Sequence, residues 1–322
     1  MDSVLSQAES EVDFSFAVER QDGRRYIFNR GGSTLQTTYE SKSASKLVSA
    51  VIVLRLVEQG HLALSDRPQA YIGSWPIGPS DPLFGMTLAQ LLSLTSGLTI
   101  DPPCLDAGNS GFEACVIRIA EDNDANNGKA PGQEFFYASS HLQVAGLMAV
   151  GARNVEGWQD IFSEFKSQTG LFPASSYDSP SSSNPALAGG MHFTGQDYMD
   201  FLKALKGGSL LNIASSQLLT DHTASVPIAF SPMFSGIGGG PGLREDWHYG
   251  FGLWHECRSP TFNCVAGTRV SSPGARGTYP FWDRSKGYTG IVVLDGVFGT
   301  DLLTGINIER SVRSTVEQWA AC

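Results

Sequence analysis

A chain of 322 residues that is 41% hydrophobic is long enough to bury a sizeable core. Its formal net charge of −10, with no Lys/Arg cluster, excludes nucleic acid as the natural partner. The longest uncharged apolar runs fall far short of the ~18 residues that a membrane-spanning helix needs.

The start Met1-Asp2-Ser3 leads into acidic, polar sequence and not into a signal peptide. That leaves a cytosolic protein or a mature domain whose leader has been trimmed. The five cysteines favour the second. Cys104 and Cys115 bracket a short Gly/Asn loop, and Cys257 and Cys264 bracket Arg-Ser-Pro-Thr-Phe-Asn. Two close pairs in loop-like sequence read as local disulfides, hence a secreted or periplasmic protein, with the cytoplasm as the lesser alternative. Cys322 is left over at the terminus. No C-x-x-C spacing occurs, so neither zinc nor another metal is expected, and no cofactor.

In chain order, Phe14, Phe16 and Val18 alternate with polar residues, and Gln21-Asp22-Gly23 turns into Tyr26-Ile27-Phe28. This predicts an antiparallel hairpin. After a polar loop through Ser41, a helix is expected from about Ala44 to Gln59, with Gly60 as its C′ residue. Its apolar positions run most of the way round, which predicts a central, buried helix. From His61 to about Glu245 the pattern is helical and loop-rich, with helices over 88–94, 112–121 (ended by Asn126-Asn127-Gly128), 141–151, 160–168 and 197–205. The stretches 179–185 and 235–242 read as surface loops bordering a cleft. Strands return over 249–254, 277–282 and 288–294, and a helix over 306–319 closes the chain. Strands at both ends and helices between them predict an α/β (α+β) fold, an antiparallel sheet built from both chain ends and flanked by helices. The whole of 1–322 is then one catalytic unit, with 1–60 plus 246–322 as a sheet-and-helix part and 61–245 as an inserted, mainly helical part.

The chemistry centres on Ser43-Ala44-Ser45-Lys46 at the start of the first long helix. Ser43 and Lys46, three apart, share one helix face. A serine hydroxyl attacks only once a base takes its proton, and lysine is such a base only when burial lowers its pKa. A helix beginning at the serine sinks the lysine into apolar surroundings and points free N–H groups at the nucleophile. Other chemistries find little support. The six histidines show no H-x-H or H-E-x-x-H spacing, and there is no G-x-S-x-G elbow, P-loop or dinucleotide fingerprint.

Six segments in order resemble the serine β-lactamase / penicillin-binding-protein superfamily, in its class C β-lactamase-like, family VIII esterase-type branch. They are the S-x-x-K helix with Leu56 to Asp66 after it; Leu91-Leu92-Ser93-Leu94-Thr95-Ser96-Gly97-Leu98, with Leu94 where histidine is common; and Pro131-Gly132 followed by Phe136-Tyr137-Ala138-Ser139. The others are Ala188-Gly189-Gly190 with Asp197 and Phe201, the strand Tyr249-Gly250-Phe251-Gly252-Leu253-Trp254, and, as a weaker match to a K-T-G or H-x-G element, Ser272-Pro273-Gly274. Coverage runs from about residue 14 to 320.

The resemblance implies a β-lactamase/transpeptidase-like fold and a site in which Ser43 is acylated. Lys46 takes its proton or tunes its partner, and Tyr137 is a second base whose phenol is made acidic by the neighbouring ammonium. Which of the two is the base stays open. Ser139 stands where asparagine is usual: a hydroxyl can still bond Lys46, but it loses an amide that would grip a substrate acylamino group. Gly274 lets substrate lie along the strand, Ala275 with Ser43 supplies oxyanion N–H groups, and Arg276 offers positive charge where Ser272 replaces the family's lysine or histidine. These changes favour a carboxylesterase or small-amide hydrolase, acting on a small ester, amide or short peptide, over a β-lactamase or D,D-peptidase. A catalytically silent binding relative is the remaining alternative. Oligomeric state is not legible.

Overall fold

The computed structural model describes residues 1–124, 129–212 and 217–322. A seven-stranded antiparallel sheet forms its spine, in the spatial order His248–Tyr249, Trp254–His255, Arg269–Ser271, Tyr279–Asp283, Tyr288–Leu294, Phe14–Glu19, Arg25–Asn29. The first strand of the chain therefore sits between its hairpin partner and the last strand, with Phe16 opposite both Phe28 and Val292. The sheet built from both chain ends is what the sequence pattern predicts.

Side-chain alternation along these strands separates two cores. Phe14, Phe16 and Val18 share one face with Tyr279, Phe281, Val292 and Leu294, and the C-terminal helix Thr304–Ala321 covers it with Ile306, Ile308, Val312 and Val316. Ala17, Ile291 and Val293 face the other way, into a larger, mostly aliphatic core around the helix Ser45–Glu58. On that helix everything from Ser45 to Leu54 is buried, and so is Leu56. An apolar surface on all sides can be satisfied only by packing on all sides. The helix ends as expected at Gly60, whose φ is +78°, with the His61 N–H returning to Leu56 O and the Gly60 N–H to Val57 O.

The middle segment contributes the helices Leu88–Leu92, Phe112–Asp122, Ser140–Arg153, Trp158–Thr169 and Gly195–Lys206, all anticipated to within two residues at their ends. The predicted stop at Asn126-Asn127-Gly128 lies outside the described residues; Asn123 is the residue that follows the helix. The stretch 179–185 holds a small hairpin pairing Ser181 with Asn184, and the helical turn Pro232–Ser235 leads into the loop at 235–242. One strand needs correction. Residues 249–254 do not form a single strand but a tight hairpin, with Tyr249 opposite Trp254 and the Gly250 N–H bonded to Leu253 O. Gly252, at φ +71°, tucks this turn against the buried helix so closely that a Cβ there would lie 2.5 Å from Lys46 O. A small sheet of Thr38–Glu40, Met191–Thr194 and Ser176–Tyr177 was not legible from the pattern.

Both cysteine pairs are joined, Cys104 to Cys115 and Cys257 to Cys264, leaving Cys322 free. Among the described residues no helix is long and apolar enough to cross a membrane.

Candidate active site

Ser43 lies in the single tight turn Lys42–Ala44 that feeds the buried helix. Lys42 before it holds φ +44°, an unfavourable value for a side-chain-bearing residue, and its amine pairs with Glu40 at 2.8 Å. The neighbouring serines are spoken for. Ser41 and Ser45 are fully buried and hydrogen-bond each other at 2.5 Å. Ser43 alone of the three lines a cavity of about 210 Å³.

Lys46 is one helical turn on and 2% exposed. Its Nζ donates to Ser43 Oγ at 3.1 Å and to Ala188 O at 3.2 Å. Burial pushes its pKa down to about 8, although the Asp101 carboxylate pulls it up. At that value about a tenth of the molecules carry a neutral amine at pH 7, enough for a base. The Ala188 carbonyl comes from the Ala188-Gly189-Gly190 segment, where Gly190 is sterically required. A Cβ at Gly190 would lie 1.9 Å from Ser179 O.

Tyr137 enters from the chain just before the helix Ser140–Arg153. Its ring stacks on Trp254 at 5.1 Å, meets Tyr249 edge-on at 6.1 Å, and lies 4.5 Å from Lys46 Nζ. The expected acidic phenol is not what this setting produces. Burial raises the Tyr137 pKa above its ordinary value, and hydrogen bonding with Ser43 and Trp254 offsets this only in part. The Lys46 amine lies over the ring face, a cation–π position, and its charge is itself diminished by burial.

Ser139 lines the cavity, but its bonded group is the backbone N–H, given to Asp101; the anticipated bond to Lys46 does not form. Ser140, fully buried, adds its own N–H and hydroxyl to Asp101 Oδ1 at 2.8 and 2.7 Å. Next to it His141 is fixed between Ser96 Oγ and Phe136 O, and burial lowers its pKa to about 4, so it stays neutral.

The strand-side segment 272–276 divides sharply. Gly274 packs so near the turn carrying Ser43 that a Cβ would lie 2.3 Å from Ser41 O, and Ala275 then lines the cavity. The Ala275 N–H donates to no backbone carbonyl among the described residues. Ser272 and Arg276, by contrast, do not reach the cavity. The Ser272 hydroxyl is buried and bonded at 3.3 Å to both Ser43 O and Gly252 O. Arg276 is held by Glu40 at 3.0 Å and by Asp295 at 3.0 Å, turned toward the surface.

Sequence reasoning missed Asp101, Ala188 O, Asp106 and the apolar rim residues Leu105, Ile237 and Phe298, all of which line the cavity. Only Ala188 carried a signal, in its Ala-Gly-Gly context. Among the described residues no group of three or more His, Cys, Asp or Glu side chains is placed to hold a metal ion.

A family model described as Beta-lactamase matches residues 16–304. "Protein flp" of Staphylococcus aureus strain MW2 is 28% identical over 113 residues, which cover 35% of this chain and 22% of that protein's length. Among solved structures, EstCE1, "a hydrolase with promiscuous acyltransferase activity", superposes with a TM-score of 0.75 at 17% identity, covering 97% of each chain. The penicillin binding protein from Bacillus halodurans gives 0.72 at 17% identity, covering 98% of each.

Proposed function

The chain belongs to the Beta-lactamase family, and we propose that within it this protein is a serine hydrolase forming an acyl-enzyme on Ser43, with carboxylesters or small amides as substrates. The observation that carries this reading is the Lys46 amine, buried, lowered to about 8 and 3.1 Å from Ser43 Oγ. Neutral Lys46 takes the hydroxyl proton as Ser43 Oγ bonds to the substrate carbonyl carbon. The Ser43 and Ala275 N–H groups stabilise the oxyanion. Collapse of the tetrahedral intermediate expels the alcohol or amine, which receives its proton from the Lys46 ammonium. Tyr137, held protonated, donates a hydrogen bond to that departing atom instead of serving as a base. Water then attacks the acyl-enzyme, gives its proton to Lys46, and releases the acid as Ser43 regains a proton.

Preference for esters over β-lactams or D,D-peptides rests on the groups that would grip a carboxylate. Arg276 is committed to Glu40 and Asp295, Ser272 to backbone carbonyls, and Asp101 adds negative charge to the cavity wall. EstCE1, similar in fold and described as a hydrolase with promiscuous acyltransferase activity, accords with this choice. Short-chain nitrophenyl esters, a chromogenic cephalosporin and D-Ala-D-Ala peptides assayed side by side test it. The expected outcome is ester turnover well above the other two; cephalosporin turnover far above ester turnover would overturn the ranking.

A further inference from the structure

One carboxylate lining the cavity, Asp101, holds the helix start that follows Tyr137, and that carboxylate is not among the groups the proposed reaction uses. Asp101 Oδ1 accepts the Ser139 N–H at 3.0 Å, the Ser140 N–H at 2.8 Å and the Ser140 hydroxyl at 2.7 Å, while Oδ2 accepts the Ser139 N–H at 2.9 Å. These are groups at the start of the helix Ser140–Arg153, where free N–H groups and the positive dipole end favour a negative charge. Tyr137 is two residues upstream of the first of them. The Tyr137 N–H donates to Phe230 O at 3.2 Å, so Phe230 holds one end of the short span that carries the phenol to Ser43, and Asp101, through Ser139 and Ser140, fixes the other.

Asp101 is itself anchored. Asn123, fully buried at the end of the helix Phe112–Asp122, accepts the Thr99 and Ile100 N–H groups at 2.8 and 2.9 Å and returns its amide to Ile100 O at 3.0 Å. Ile100 O also lies 2.7 Å from the Ser140 hydroxyl, whose single proton it shares with Asp101 Oδ1. A continuous set of hydrogen bonds thus runs from a buried amide, through the chain at 99–101, to the helix that presents Tyr137 and Ser139. Such a set costs little to keep because its buried members are satisfied.

Resting on the serine-hydrolase reading above, we propose that Asp101 is the positioning residue of this site: it pins the Tyr137–Ser140 span against the nucleophile and places a fixed negative charge that acts on Lys46. Its two actions oppose each other. The bonds bring the proton-handling groups together, whereas the charge favours the ammonium form of Lys46 and so keeps part of the base protonated. The groups facing Lys46 are Ser43 on its own helix turn, the Ala188 carbonyl, the Tyr137 ring and, through space, Asp101 and His141. His141 is neutral across the working range, and among the described residues Asp101 is the one carboxylate acting on Lys46.

The test is the rate at which an alkyl fluorophosphonate modifies Ser43, followed by intact mass from pH 5 to 10, in the full chain and in Asp101→Asn and Asp101→Ala. In the unaltered protein the rate rises through a midpoint near 8 as Lys46 loses its proton. Asp101→Asn keeps acceptor oxygen but not charge, so its midpoint moves to lower pH with the plateau falling less than about threefold. Asp101→Ala loses both, so its midpoint moves likewise and its plateau falls about tenfold or more, the penalty of misplaced reacting groups. Circular dichroism verifies that each variant is folded, and if Asp101→Ala is not, the midpoint of Asp101→Asn decides alone. Midpoints that stay in place in the folded variants overturn the proposal, since a merely structural aspartate would not set them. No adduct on Ser43 in the unaltered protein overturns the hydrolase reading instead, and with it this inference.

Discussion

The two walls that meet at Ser43 treat their polar groups in opposite ways. On the helix side, Lys46 is buried with its amine aimed at the Ser43 hydroxyl, and burial has pushed it toward the neutral form. On the strand side, Ser272 and Arg276 are equally polar, yet one bonds backbone carbonyls below the cavity and the other pairs with Glu40 and Asp295 beside it. From that wall it is Gly274, packed on the turn carrying Ser43, and Ala275, lining the cavity, that approach the site. Under the proposed mechanism, the difference teaches that acylation machinery and recognition of a substrate's charge are separable on this fold. The first needs a desolvated amine next to a hydroxyl; the second needs a cation left free, which here is used up in holding loops together.

Of the two walls, breaking the helix wall has the larger consequence. Lys46→Met keeps length and apolar volume but removes the amine, so kcat/KM for a nitrophenyl ester falls about 10³-fold, the scale of a lost general base. The rise of rate through pH 8 disappears with it. The melting temperature holds or increases, because an amine that sits uncomfortably in an apolar layer has been replaced by a thioether. Full activity in this variant would assign the base elsewhere.

The backbone of the strand wall comes next. A Cβ at residue 274 collides with Ser41 O at 2.3 Å, so Gly274→Ala displaces the nucleophile turn or the strand. Ester kcat/KM drops about 10²-fold, as expected when reacting groups shift by about 1 Å. An unchanged rate would mean that the two walls are not in mechanical contact at Ser43.

The smallest effect belongs to the cation of that wall. Arg276→Gln leaves ester kcat/KM within about twofold and stability to urea within ~1 kcal/mol, since both its ion pairs are partly exposed. A large loss confined to carboxylate-bearing substrates would show that Arg276 swings into the cavity, and would erase the contrast between the walls.

The same contrast explains what sequence could reveal. The sheet from both chain ends was legible because Phe14, Phe16 and Val18 alternate and because aromatic strands recur after residue 248. The central helix was legible because its apolar positions leave no polar face. Ser43 and Lys46 could be paired because helical spacing links residues three apart without knowledge of the tertiary fold. Asp101 could not, since its partners lie 38 and 39 residues away and nothing local marks a carboxylate ahead of two prolines as the cap of a distant helix. The error about Tyr137 has a similar root. Proximity to a lysine suggested an acidic phenol, but burial lowers the lysine's charge and raises the phenol together, and burial depends on Trp254 and Tyr249 from the far end of the chain. Arg276 shows the limit of charge counting, since its partners Glu40 and Asp295 come from two separate segments.

The proposed mechanism runs entirely through one hydroxyl, that of Ser43. Treating the protein with a fluorophosphonate at pH 8.5, digesting it and mapping the modified peptide by mass spectrometry should place a single adduct on Ser43. Ser43→Ala should lose both the adduct and ester turnover, by about 10⁴-fold or more. An adduct on another serine, no adduct at all, or turnover that survives in Ser43→Ala would contradict it.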